Sequence, residues 1–323
     1  MLSRTKNLDR NKELAQYAGK KILVTGGSGF IGSMLCAHLE RHGAELHIVS
    51  RTDQAPSDTI TWWKGDLSDM QFIRHVFSAT RPDIVFHLAS EVTGSRELDI
   101  VLPTLNGNLV SAVNILVAGT QAGCGRIVMT GSLEEPEGEA ANTTVPASPY
   151  AASKWAASAY ARMFHALYQT PVAVARLFMV FGPGQRDLRK IVPYVILSLL
   201  RGESPKLSSG TRPVDWIYVE DVVNGLLIMG VAPDVNGKTI DLGSGESTTV
   251  RSVVEMVCDI MQAPTEPEFG ALADRPMEQI RIANIQDTYA ELGWKPQLAL
   301  KEGLRKTVDW YKGKYQAGEI ESL

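Results

Sequence analysis

The chain has 323 residues, 44% of them hydrophobic and 21% charged, with a formal net charge of −4. That length can bury a large core and allows two domains, and the charge balance offers no basic excess to suggest nucleic acid. No apolar run is expected to reach membrane-spanning length, and the polar first 19 residues lack a signal peptide's apolar stretch, so a cytoplasmic protein is expected.

Residues 1–18 read as a short, exposed leading helix or arm. Ile22, Leu23 and Val24 form an apolar, partly β-branched run that suits a strand buried on both faces. Gly26, Gly27, Gly29 and Gly32 come next, and the last three have the G-x-G-x-x-G spacing. Phe30 to Glu40 then shows helical periodicity, so the glycines sit in a strand-to-helix turn. Such a turn lets backbone approach a pyrophosphate, and the helix N-terminus adds free N–H groups, which predicts a dinucleotide site. His38 and His42 stand four apart on this helix without a third ligand, so no metal site is expected. Cys36, Cys124 and Cys258 are odd in number and far apart, which offers neither a disulfide framework nor a C-x-x-C knuckle.

Glu45–Ser50 reads as a second strand, whose tip ordinarily meets the adenosine ribose. An acid there favours NAD. Here the strand runs into Ser50 and Arg51, and a guanidinium can pair with a 2′-phosphate, so NADP is favoured and NAD stays open, with Asp53 close by. Further strands are predicted at Ile60–Lys64, Asp83–Ala89, Arg126–Met129 (running on into Thr130-Gly131-Ser132) and Val172–Phe178. Helices are predicted at Asn108–Ala122 and Tyr150–Tyr168, and 133–149 reads as an active-site loop. Strands alternating with helices imply an α/β, doubly wound parallel sheet of the Rossmann type.

After Gly182-Pro183-Gly184 the rhythm breaks. Ile191–Arg201 suits a helix. The stretches Trp216–Val219, Asp221–Met229 and Thr239–Leu242 suggest a return to the main sheet, and Pro-rich loops occupy 264–276 and 293–298. The expected division is a dinucleotide-binding domain over 1–181, rejoined by 214–245, and a smaller domain from 182–213 and 246–323, capping the sheet edge where ligands bind.

Tyr150 and Lys154 stand four apart, on one face of a helix. A cation near a phenol favours phenolate, and such a tyrosine can exchange protons with a hydroxyl or carbonyl.

Together these stretches resemble the extended short-chain dehydrogenase/reductase family, in its nucleotide-sugar epimerase/dehydratase/4-ketoreductase branch. The resemblance runs from about Lys20 to Tyr311. It rests on TGGSGFIG at 25–32, GDL at 65–67, FHLAS at 86–90, Asn108 with Asn114-Ile115-Leu116, TGS at 130–132, YAASK at 150–154, ARLFMVFGPGQ at 175–185 and DWIYVEDVV at 215–223. Ser111 departs from the family's glycine in the Asn108 helix. The resemblance implies a cofactor turn that includes Phe30 and Ile31. It places Asp66 and Leu67 beside the adenine, and Leu88, Ala89 and Ser90 along the nicotinamide half. Tyr150 would be the acid/base and Lys154 would tune it and hold the nicotinamide ribose. Ser132 would bond the reacting oxygen, and Asn108 would support a proton relay. The smaller domain would bind a nucleotide-diphosphate sugar, with Arg212 and Arg275 as substrate contacts. A homodimer is implied through Leu109, Val113, Leu116, Trp155, Ala159 and Met163.

Members of the branch share hydride movement at sugar C4 and differ in the chemistry after that step. In the 4,6-dehydratases the Ser/Thr is followed by Asp-Glu or by one residue and then Glu. Here Leu133 breaks the first pattern and Glu134 fits the second. The Val-Tyr-Gly of the epimerases is absent. Arg51 favours an enzyme that consumes NADPH, so an NDP-4-keto-hexose reductase is expected ahead of a 4,6-dehydratase or 4-epimerase. A catalytically silent dinucleotide sensor or scaffold is the alternative from another class, and the intact Ser132/Tyr150/Lys154 set argues against it.

Overall fold

The computed structural model describes residues 14–55, 57–136 and 144–320. Most of the expected leading arm (1–13) and the middle of the expected active-site loop (137–143) lie outside the described residues. The chain divides into two compact units. One holds the chain through Leu177, with Val223–Asp241 and Asp287–Trp294. The other holds Phe178–Val222, Leu242–Gln286 and the chain from Lys295.

In the first unit the elements run β1 (Lys21–Thr25), α1 (Phe30–Arg41), β2 (Glu45–Ser50), β3 (Ile60–Lys64), α2 (Met70–Thr80), β4 (Ile84–His87), α3 (Ser111–Ala122), β5 (Arg126–Ser132), α4 (Pro149–Tyr168) and β6 (Val172–Leu177). Helix α5 (Val219–Val231) enters this unit at Val223, and β7 (Thr239–Leu242) closes it. One seven-stranded sheet has the order β7-β6-β5-β4-β1-β2-β3, and the pairings from β3 through β6 are parallel. The Rossmann-type reading therefore holds. Strand order reverses between β1 and β4, which opens a crevice at their carboxyl ends.

Alternation along each strand sends side chains to two cores. On one face Leu23, Val85 and Ile127 pack with Ile73, Ile115, Leu116 and Ala161 of α2, α3 and α4. On the other, Phe86 meets Tyr17 at a ring-centroid distance of 6.4 Å. Tyr17 is fully buried, and its hydroxyl donates to the Leu227 carbonyl at 2.6 Å. The described end of the expected exposed arm is thus built into the core. A buried phenol must find an acceptor, and the carbonyl near the end of α5 supplies one.

Helix α2 has no counterpart among the sequence expectations. Its signals were present: Asp69 accepts from the Gln71 and Phe72 amides as an N-cap, and Ile73, Val76, Phe77 and Thr80 form its buried stripe. The run Leu98–Ala122 is long and apolar enough to cross a membrane by length and composition alone, against expectation. Here its α3 portion covers the sheet with Ala112, Ile115, Leu116, Ala118 and Gly119. Leu116, expected at a dimer seam, is fully buried in that core.

The second unit has its own core, in which Ile196, Val254, Leu304 and Tyr311 come together from three helices, Ile191–Leu200, Val250–Met261 and Leu300–Gln316. Trp216–Tyr218 does not return to the main sheet; it pairs in parallel with Met179–Phe181. Asp221–Met229 lies in helix α5, which belongs to the first unit from Val223 on, and Thr239–Leu242 joins the sheet itself. Buried Asp215 ties this unit by accepting from the Ser244 amide and hydroxyl and the Gly245 and Ala283 amides.

Candidate active site

The turn from β1 to α1 is built on two close approaches. Gly26 has φ +73°, and a Cβ there would stand 2.7 Å from the Ala89 amide nitrogen. A Cβ on Gly32 would stand 2.1 Å from the Gly26 carbonyl oxygen. Only glycine fits at both, and the Gly29 amide closes the turn on the Gly26 carbonyl at 3.0 Å. Gly27 is buried, while Phe30 and Ile31 open α1 half-buried. A glycine-lined backbone cradle of this kind fits a dinucleotide pyrophosphate.

At the end of β4, Thr25 Oγ1 lies 2.7 Å from His87 Nδ1 and accepts from the Ala89 amide at 3.2 Å. Burial, with the Lys154 charge second, pushes His87 down to about 3, so it is neutral at working pH. Leu88, Ala89 and Ser90 continue from it, half-buried. Asn108 lies in a π-helical turn, Leu105–Val110, of the kind often found at functional sites. Its Oδ1 accepts from the Ser90 hydroxyl and the Glu91 amide, and its Nδ2 donates to Ser153 Oγ and the Glu91 carbonyl. Three of these bonds position the β4 exit, and the fourth ties it to α4 through Ser153, whose hydroxyl donates to the Tyr150 carbonyl at 2.8 Å.

Helix α4 starts where Ser148 caps it, its hydroxyl accepting from the Ala151 amide at 3.1 Å, with Pro149 in the first turn. That start fixes the phase of Tyr150, Lys154 and Ser158, which are all buried against the end of β5. Lys154 Nζ donates to the Thr130 carbonyl at 2.8 Å and to Thr130 Oγ1 at 3.2 Å. Burial pushes this ammonium down to about 8, with the Glu135 charge opposing. Burial holds the Tyr150 phenol above its ordinary value, against a lowering bond to Ser132. The expected phenolate is therefore not favoured: burial first, and then the Glu134 and Glu135 charges, raise the phenol.

Ser132 ends β5, and its Oγ accepts from the Glu134 amide at 3.2 Å. Glu134 is half-buried and its charge acts on Tyr150. Glu135, which falls in the expected 133–149 loop and is not singled out there by the sequence, is 3% exposed. Its Oε1 accepts from the Ser132 amide at 2.8 Å and from Ser158 Oγ at 3.0 Å.

The ribose end is looser. Ser50 is buried and donates to the Thr52 carbonyl. Arg51 Nη1 lies 3.7 Å from Glu91 Oε2 with 78% of its side chain exposed, and Asp53 pairs with Lys64. Asp66 is held by the Ser68 amide and hydroxyl, which lowers its carboxyl, while Leu67 packs into the core. Asn114 holds this strand end through the Leu67 and Ser68 carbonyls.

In the second unit Arg212 spends its guanidinium on Glu278 at 3.1 Å and the Gln279 carbonyl at 2.9 Å. Arg275 is exposed, beside Asp274, which Ser209 anchors.

A family model described as the NAD dependent epimerase/dehydratase family matches residues 22–243. The chain belongs to that family. Its members are enzymes of the extended short-chain dehydrogenase/reductase type. A UDP-glucose 4-epimerase of Mycolicibacterium smegmatis is 30% identical over 318 residues, covering 92% of this chain and 100% of that protein. A dTDP-glucose 4,6-dehydratase of Neisseria gonorrhoeae is 31% identical over 337 residues, covering 92% and 97%. Among solved structures, the epimerase Mth375 of Methanothermobacter thermautotrophicus aligns with a TM-score of 0.87 at 28% identity, covering 96% and 97%.

Proposed function

We propose that this enzyme moves hydride between a nicotinamide dinucleotide and C4 of a nucleotide-diphosphate sugar, working as an NADPH-consuming 4-keto-hexose reductase. The observation that carries this reading is the buried Tyr150 phenol, held protonated and bonded to Ser132. A protonated phenol is a general acid, which reduction of a ketone requires. The glycine cradle from Gly26 to Gly32 would hold the pyrophosphate, and Lys154 would reach the nicotinamide ribose. When bound, the nicotinamide supplies the hydride. Tyr150 gives its proton to the C4 oxygen, Ser132 orients that oxygen, and Thr130 keeps Lys154 in place. Arg51 would meet the 2′-phosphate. Arg275 remains exposed for substrate, whereas Arg212 would first have to leave Glu278.

A second reading, a 4,6-dehydratase or 4-epimerase that recycles bound NAD, is supported by the approach of Glu91 to Arg51 and by the named relatives. Glu134→Gln separates the two. In a ketoreductase the rate with a 4-keto sugar and NADPH falls little. In a dehydratase, loss of the base at C5 stops turnover of the parent nucleotide sugar. Wild-type protein that binds a dinucleotide yet converts no member of a broad nucleotide-sugar panel would establish the sensor reading instead.

The homodimer belongs to the same proposal. Ala159, Leu102 and Leu105 are exposed, and Leu109, Val113, Trp155 and Met163 are half-buried, on neighbouring helical segments. A monomer mass by light scattering at micromolar concentration would end it.

A further inference from the structure

Glu135 is a buried acid with no assigned work. Its position is built, not incidental. The Glu135 amide donates to the Ser132 carbonyl at 3.1 Å, which closes a tight turn after β5. The side chain then folds back, and Oε1 takes both the Ser132 amide and the Ser158 hydroxyl. It lies so close to the strand that a Cβ at Gly131 would stand 2.6 Å from Oε1. Tyr150, Lys154 and Ser158 are spaced i, i+4, i+8 along α4, so one helix face meets Ser132, Thr130 and Glu135 in turn.

We infer that Glu135 is a positioning residue of the Tyr150–Lys154 site, clamping the end of β5 to α4 and supplying the counter-charge for the buried Lys154 ammonium. This rests on the C4-oxidoreductase reading for its purpose, though not for its test. A buried ammonium bonded, among the described residues, to neutral Thr130 oxygens is costly unless a carboxylate is near. The groups acting on this cluster are Glu135 and Glu134 on the turn after β5, and His87 on β4, which is neutral. Burial is the main force discharging Lys154, and Glu135 is the charge that opposes it. The Glu135 carboxylate need not reach reactants for this role; it holds the Ser132 backbone amide and the Ser158 hydroxyl.

Glu135→Gln keeps an acceptor for Ser132 and Ser158 but deletes the charge. The Lys154 Cε resonance is followed against pH in 13C-lysine-labelled protein and assigned by its loss in Lys154→Met. Its midpoint is expected to fall by about one pH unit in Glu135→Gln and to recover in Glu135→Asp. The alkaline limb of the pH–rate profile should move down with it. A midpoint that matches wild type overturns the inference, because a purely structural clamp would not move it. Should Glu135→Gln fail to fold, the double variant Glu135→Gln/Lys154→Met decides: removing both charges restores a cooperative melt if Glu135 is the counter-charge. A double variant that still fails to fold overturns it. The titration needs no substrate. Absence of nucleotide-sugar turnover would therefore sink the functional reading alone, and an unmoved midpoint would sink Glu135 alone.

Discussion

Ser132 at the end of β5 and Tyr150 and Lys154 of α4 beside it are 6%, 8% and 6% exposed, whereas Arg51, just after β2, leaves 78% of its side chain in water. Both neighbourhoods lie at carboxyl ends of one sheet, and both carry residues expected to meet the same cofactor. In the first, desolvation decides protonation, and every polar partner is dictated by packing. In the second, Arg51 and Glu91 stand 3.7 Å apart in solvent, where screening and side-chain entropy leave such a pair worth little. The proposed function gives chemistry to the buried end and cofactor choice to the exposed end.

The sharpest break of that comparison is Tyr150→Phe. It keeps the ring and removes the transferable proton, so turnover should fall ~10²–10⁴-fold while dinucleotide affinity, read by fluorescence titration, stays near wild type. A loss of binding equal to the loss of rate would make the buried end a binding site rather than a catalytic one.

Lys154→Met tests the claim that desolvation rules there. Lys154 loses its proton near pH 8 when folded and near 10.5 when unfolded. Between those values the unfolded chain binds more protons, so this residue makes stability rise with pH. Below about 8 the buried charge is a fixed cost, of about 3 kcal/mol across the whole window. Denaturant melts at pH 7.5 and 10 should show that rise in wild type and a flatter profile in Lys154→Met. Equal slopes would mean that Thr130 and Glu135 already compensate the charge fully.

Asn108→Ala strands the Glu91 amide and breaks the tie to Ser153, and should cost about 2 kcal/mol in the same melts. Because the clamp also fixes the β4 exit, its loss should weaken dinucleotide binding before it slows chemistry. A fall in rate without a fall in binding would instead support the expected proton relay at Asn108.

Arg51→Ala is the smallest. Stability should change by less than about 0.5 kcal/mol. In wild type NADPH should bind about tenfold more tightly than NADH, and the variant should lose that preference. Equal affinities in wild type would hand the exposed end to Glu91 and favour the NAD-recycling reading.

The features dictated by sequence alone were local. The strand, glycine turn and helix from Lys21 to Arg41 were legible because hydrophobic period and glycine spacing are properties of neighbouring residues, and the Tyr150/Lys154 face comes from helical geometry alone. Helix α2 was equally legible from Asp69 and its apolar stripe. Other features belong to tertiary structure. Trp216–Tyr218 reads as a strand in any sequence window, but its partner, Met179–Phe181, lies far along the chain. Tyr17 became core only because Leu227, 210 residues away, offers its carbonyl. Glu134 and Glu135 are the same residue type side by side. Only the turn after Ser132 decides that Glu135 goes inward while Glu134 stays half-buried. The Tyr150 phenol is likewise raised by burial, which depends on everything packed around it and on no motif.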